Sequence, residues 1–216
     1  MSENLIETRR DQLVEAMLSN VPMDGWTWLA IETGATKLGL KEGDARRIFI
    51  NDLGATADHF ALWSDRRMLT HLKDYDLESM RIRDRIFTCV KIRLEMNAKH
   101  KEAMRRLLSF LALPQNAGLA SKLTWRTCSE MWYASGDIST DWNYYSKRIL
   151  LASVYSSTVL YWMVDDGDGF ADFPDTWGFL ERRIDDVLKT FSIPGQIKQR
   201  LSHLFPVVSS SMRYQK

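Results

Sequence analysis

Apolar residues recur along this chain at three- and four-residue intervals with charge between them, and no stretch alternates in the way a strand would. Proline and glycine divide the pattern into segments of roughly 10 to 20 residues. Leu5 to Asn20 places Leu5, Leu13, Met17 and Val21 on one side and stops at Pro22. Trp26 to Leu38 repeats at Trp28, Ile31, Ala35 and Leu38, with Gly39 as its stop. A short segment, Glu42 to Ile50, precedes a longer one from Thr56 to Leu72. Lys101 to Leu113 ends at Pro114, and Ala117 to Ser135 ends at Gly136. Asp141 is placed to cap a helix running to Met163. The acidic loop DDGDGFADFPD leads to Thr176–Phe191, and Pro194 opens a last segment. The spacing predicts an all-α domain of nine to ten helices.

Two segments depart from a simple one-sided stripe. Glu78 to Asn97 has one stripe at Met80, Phe87, Val90 and Leu94 and a second at Ile82, Ile86, Cys89 and Met96, as expected of a helix sandwiched in a bundle. Ile149 to Val164 is 16 residues without a charge. It falls short of the ~20 needed to span a bilayer and is interrupted by Ser153, Ser156, Ser157 and Thr158, so it predicts a central buried helix.

The net charge of +1 on 216 residues conceals an uneven distribution. From Val187 onward there are five basic residues (Lys189, Lys198, Arg200, Arg213, Lys216) and no acidic side chain, whereas residues 1–186 carry −4. The basic tail calls for an anionic partner, a membrane surface or a polyanion. Residues 81–106 hold nine Lys or Arg against Asp84, Glu95 and Glu102, which reads foremost as a solvated face, since no interleaved aromatics accompany it for base stacking. Eight Trp and ten Met suit an adaptable apolar cavity, or a core that is merely rich in aromatics. Cys89 and Cys128 lie within apolar segments and predict free thiols in a reducing compartment.

Catalytic signatures are missing. His59, His71, His100 and His203 are scattered, and none follows a glutamate by three residues, as a helical di-iron site requires. No Cys or His pair has zinc spacing, and no glycine-rich phosphate loop occurs. Asp166-Gly-Asp168-Gly169 has the look of the middle of a calcium loop, but Val164 stands where its first carboxylate belongs and Asp175 where a bidentate glutamate should close it. The chain is expected to be neither an enzyme nor a metal protein.

The run DGWTWLAIETGATKLGLKEGDARRIF resembles the helix-turn-helix of TetR-type regulators. DNA binding needs cations against phosphate, yet residues 1–60 carry six basic and ten acidic side chains. The expectation is a retained shape without nucleic-acid binding, with a TetR-type ligand-responsive transcription regulator as the alternative. The segments RIRDRIFTCVKIRLEMNAKHKEAMRRLLSFLALPQN, MWYASGDISTDWNYYSKRILLASVYSSTVLYWMVDD and DTWGFLERRIDDV together resemble the coenzyme Q protein nine family of ubiquinone biosynthesis accessory proteins, over roughly Arg10 to Val187.

That resemblance implies a TetR-like bundle that holds an isoprenoid or phospholipid ligand in an internal apolar pocket, needs no cofactor, and presents quinone intermediates to a membrane-bound partner, the di-iron demethoxyubiquinone hydroxylase. The expected organisation is a helix-turn-helix-like unit over residues 1–60, a lipid-binding bundle over 61–191 and a basic amphipathic segment over 192–216. The pocket is expected to be lined by Phe87, Val90, Leu94, Val154, Tyr155, Thr158 and Tyr161, and the partner to dock on Met131, Trp132, Asp137, Asp141, Trp142, Tyr144 and Tyr145. In the tail, Ile197, Leu201, Leu204, Phe205 and Val208 form a stripe flanked by Lys198 and Arg200, suited to an anionic membrane surface; packing on the bundle or on a second subunit is the alternative. A homodimer is expected, and a bacterial, cytoplasmic protein peripheral to the inner membrane, because no import or signal segment is evident.

Overall fold

The computed structural model describes residues 3–140, 142–168 and 172–191. Among them are ten α-helices and no strand. The first four, α1 (Glu3–Leu18), α2 (Val21–Asp24), α3 (Trp28–Lys37) and α4 (Asp44–Ile48), build the expected helix-turn-helix-like unit. Pro22 was expected to mark only a stop. It sits instead in the first turn of α2, where its fixed φ fits and its missing N–H costs nothing. Thr27 begins α3 by accepting a hydrogen bond from the Ala30 N–H. α3 lies very close to α1: a Cβ added at Gly34 would come within 2.8 Å of the Met17 backbone nitrogen. Glycine at this position sets the separation of the two helices.

α5 (Leu53–Leu72) starts where the Asp52 carboxylate accepts from the Gly54 N–H at 2.7 Å. Its first half serves the N-terminal unit. The Trp26 indole donates to Thr56 Oγ1 at 2.9 Å and meets the Phe60 ring edge-on, while buried His59 pairs with Asp11 of α1 at 2.7 Å. Its second half packs against the bundle. The boundary expected at residue 60 therefore falls in the middle of one unbroken helix.

The remaining helices are α6 (Ile82–Glu95), α7 (Lys101–Leu111), α8 (Ala117–Ala134), α9 (Trp142–Val164) and α10 (Pro174–Phe191). They close a ring: α5 packs on α8, α8 on α9, α9 on α10, α10 on α6, and α6 back on α5. α6 also meets α8 across the ring, which accounts for its two apolar stripes. α9 is flanked by α8 and α10 but is not the central buried helix its uncharged run predicts, because Ile149, Leu160 and Val164 on its outer face are exposed. α7 packs on α2 and α8 and closes the free end of α9, where Lys101 Nζ donates to the Asp165 carbonyl and Arg105 to the Met163 carbonyl at 2.7 Å. Cations suit the otherwise unpaired carbonyls of a helix C-terminus.

The basic cluster at 81–106 is thus not a plain solvated face. Besides Lys101 and Arg105, the Arg85 guanidinium donates to the Met80, Ser135 and Glu78 carbonyls. Arg93 is buried outright, with 3% of its surface exposed. The expected membrane-binding residues Ile197, Lys198, Arg200, Leu201, Leu204, Phe205 and Val208 lie outside the described residues.

Candidate functional site

Periodicity places the expected pocket residues on the faces of α6 and α9 that turn into the ring. Val90, Leu94, Val154, Tyr155 and Thr158 are all buried. Phe87 is half-buried against the same core, and half-buried Tyr161 stacks on Phe179 of α10, their ring centroids 4.5 Å apart. Thr158 satisfies its hydroxyl on the Val154 carbonyl at 2.8 Å, so it presents a methyl group without an unpaired polar atom. Of these side chains, Val90, Leu94, Val154 and Tyr155 belong to one apolar core and Phe87 packs against it.

A polar centre that the hydrophobic pattern does not reveal sits in this interior. Asp65 of α5 accepts from Arg93 Nε of α6 at 2.9 Å and from the Thr127 hydroxyl of α8 at 3.0 Å. Arg93 donates through Nη2 to the Ala61 carbonyl at 3.4 Å, while its buried Nη1 has no partner. Tyr155 of α9 lies close enough to feel both charges, and burial raises its phenol pKa. The ion pair survives because each charge neutralises the other away from water. Beside it, burial lifts the thiols, Cys89 to about 11 and Cys128 to about 12. Both are protonated near neutrality and are poor nucleophiles.

The expected docking residues surround the turn between α8 and α9, and the structure divides them. Contrary to expectation, Met131 is fully buried, because its position in α8 faces α6, and its side chain belongs to the core. Trp132 is half-buried and its indole donates to the Lys147 carbonyl at 3.0 Å. Asp137 anchors the turn, accepting from Lys147 Nζ at 2.7 Å, from the Ser139 hydroxyl at 2.7 Å and from Arg148 Nη1 at 3.2 Å. Burial acts to raise its pKa, but the Lys147 and Ser139 hydrogen bonds outweigh it and hold the carboxyl at about 2. Asp141 lies outside the described residues, as does the side chain of Trp142.

Tyr144 and Tyr145 do reach the surface. Tyr144 covers the Arg148 guanidinium, 3.5 Å from carbon to ring centroid, and meets Tyr145 edge-on at 5.1 Å. Trp125 of α8 joins them at 6.2 and 6.1 Å. Tyr145 is 52% exposed, and Tyr133, Ile138 and Ile149 are also exposed. Arg148 itself is completely buried and donates to Ser129, Asp137 and the Tyr144 carbonyl. The result is a rigid aromatic platform with a cation beneath it, of the composition that dominates interface hot spots. Arg148, Tyr133 and Trp125 were missed from sequence. The one available signal is that Arg148 falls three residues before Leu151 and six before Val154, on the buried face of α9.

No helix among the described residues is long and apolar enough to cross a membrane, and no group of three or more His, Cys, Asp or Glu among them is placed to hold a metal ion.

Comparison with known proteins places this geometry. The family model described as COQ9 matches residues 117–190, which is α8 through α10. The chain is 33% identical over 199 residues to the human (Homo sapiens) mitochondrial ubiquinone biosynthesis protein COQ9, covering 89% of this chain and 61% of that protein. To the Rattus norvegicus protein it is 34% identical over 205 residues, covering 91% and 63%; to that of Drosophila melanogaster, 28% over 204 residues, covering 93% and 61%. The chain spans about three-fifths of the length of these relatives. In fold it is similar to the crystal structure of a TetR transcriptional regulator from Nitrosomonas europaea, with a TM-score of 0.65, 19% identity, and coverage of 82% of this chain and 97% of that one. The likeness to these relatives extends over about nine-tenths of the chain, and with the family-model match it makes this TetR-like helical protein a homologue of the COQ9 proteins.

Proposed function

We propose that this protein serves ubiquinone biosynthesis as a non-catalytic lipid carrier. It takes an isoprenoid or quinone intermediate into the α6–α9 interior and presents it to a membrane-associated quinone-modifying enzyme, of which a demethoxyubiquinone hydroxylase is the expected kind. The observation that carries this reading is that α6 and α9 both turn buried apolar residues into the ring, in a chain homologous to the COQ9 proteins. Apolar walls with few polar groups suit a prenyl chain, and the unused Arg93 Nη1 offers a donor for a quinone oxygen. The aromatic platform of Trp125, Tyr144 and Tyr145 is the proposed docking surface for the enzyme. The segment 192–216 is the proposed contact with anionic lipid, each Lys or Arg near the surface adding about 1 kcal/mol. Dimerisation through the outer faces of the last helices, where Ile149, Leu160 and Val164 stand exposed, belongs to the same reading, as does a place on the inner membrane of a bacterium.

The likeness to a TetR regulator supports a second reading, ligand-responsive DNA binding. Against it stand the two arginines of α4. Arg46 is paired to Glu32 at 2.6 Å and lies over the Trp28 ring, and Arg47 is paired to Asp44. Both cations are already engaged within a unit that is net acidic.

Deleting the chain from its host and measuring quinones in lipid extracts tests the proposal. Ubiquinone is expected to fall and a less substituted precursor to accumulate; an unchanged quinone profile would overturn the biosynthetic role.

A further inference from the structure

A cavity lies in the N-terminal unit, remote from the α6–α9 interior. It is an open cavity of about 410 Å³ between α1 and α4, within the size range of small-molecule sites. Ile6, Leu40, Ile48 and Ile50 form its apolar wall, and Arg9, Arg10 and Arg47 stand around it with a single carboxylate, Asp44.

The charges are not equivalent. Both Asp44 oxygens are occupied, one by Arg47 and one by the Lys41 N–H at 2.9 Å, and these contacts hold its pKa down. Arg10 is fixed on the Ile48 carbonyl and over the Phe49 ring. Arg9 alone has no partner among the described residues. The cavity therefore has an apolar body and a net positive rim with one uncommitted guanidinium.

The backbone adds an independent observation. Ile50 has φ +53 and Asn51 φ +52, two successive residues in the left-handed region. A β-branched residue there is a genuine outlier, and such strain persists where the surroundings impose it, often at ligand sites. Here it keeps the Ile50 side chain at the cavity mouth, 79% exposed. An isoleucine held in a disfavoured conformation, yet buried against nothing, gives the folded chain no packing in return.

We infer that this cavity binds a free single-chain amphiphile with an anionic head, of the long-chain carboxylate class. The carboxylate would pair with Arg9, bidentate as guanidinium–carboxylate contacts commonly are, and the alkyl chain would lie against Ile6, Leu40 and Ile48 beneath Ile50. The cavity volume fits one chain rather than a two-chain lipid or a bilayer surface. Such a site in the helix-turn-helix-like unit lets a second apolar metabolite act on α1 and α4, independently of the carrier function proposed for the bundle.

The test is calorimetric titration of the full chain with dodecanoate, dodecanol and dodecyltrimethylammonium below their aggregation limits. Dodecanoate is expected to bind at a site where the cationic amphiphile is weaker by about tenfold or more. Arg9→Ala should weaken dodecanoate by a similar factor. Ile50→Gly should also weaken it while leaving the melting temperature unchanged or raised, because glycine accepts positive φ, so that lost binding cannot be laid to unfolding. Equal binding of the three amphiphiles, or binding insensitive to both variants, overturns the inference. So does dodecanoate binding that is lost in Val154→Phe and kept in Arg9→Ala, which would put the probe in the bundle. Binding only to anionic vesicles, with none to monomeric dodecanoate, overturns it as well.

Discussion

Arg93 shows how much one side chain can determine. It lies between Val90 and Leu94 on a helix otherwise read by its apolar spacing, and its charge is held in the core by Asp65, which also accepts from the Thr127 hydroxyl. Removing one partner leaves the other charge stranded, a loss of about 3–5 kcal/mol. Asp65→Leu is therefore expected to destabilise the fold by that amount in chemical denaturation, and adding Arg93→Met to it should recover most of the loss. Two single losses that simply add would show that the pair is not coupled. His59 gives a pH dependence. Burial is the larger influence and lowers its pKa, with the Asp11 hydrogen bond acting the other way. The unfolded chain takes up this proton near 6.5 and the folded chain only at lower pH. Stability is full above that value and declines as pH falls below it. The slope of unfolding free energy between pH 7 and 5 should flatten in His59→Asn; an unchanged slope would remove His59 from the explanation. Neither role was legible in the sequence. A residue's charge is visible there, but whether a partner from another helix neutralises it depends on contacts dozens of residues away.

Helices were the most legible level. Spacing alone places nearly every segment and picks out α6 as a helix packed on more than one side, because a period of 3.6 records which faces meet neighbours. The misreadings fall at short elements and ends. Pro22 reads as a stop although the same ring geometry suits a first turn, and residues 77–79 form a separate tight turn before α6 begins. Gly34, inside α3, is the place where α1 comes close. Gly34→Ala, favoured by helix propensity by about 1 kcal/mol, should nonetheless destabilise by ~1–3 kcal/mol, since its Cβ meets backbone rather than a movable side chain. Thermal unfolding decides the sign, and a stabilised variant would mean that α1 and α3 separate freely. The acidic tether at Asp137 acts on the element scale too. Its pKa of about 2 means that its stabilisation of the α8–α9 turn, full above the usual carboxylate pKa of 3.8, is lost only as pH falls through about 2. Asp137→Asn should loosen that turn at neutral pH, visible as faster amide exchange at the start of α9.

At the scale of the molecule, the closed ring of α5, α6, α8, α9 and α10 unites what the sequence separates. It puts α6 and α9 on either side of one interior although more than 40 residues lie between them. The two-striped and uncharged runs single out α6 and α9 in the sequence; composition does not, since excess Trp and Met fit a filled core equally well. The aromatic platform was half legible. Tyr144 and Tyr145 stand beside the α8–α9 turn as aromatics visible in the sequence, but the buried Arg148 beneath them reads there as one more surface cation. The central claim is that the interior holds an isoprenoid chain between α6 and α9. Native mass spectrometry of the full chain after mild purification measures this most directly, with Val154→Phe prepared alongside. The expected result is an added mass matching a prenyl lipid or quinone on the unaltered protein, lost from a Val154→Phe variant that keeps its helical spectrum. No bound lipid in repeated preparations, or the same lipid retained by the variant, would contradict it.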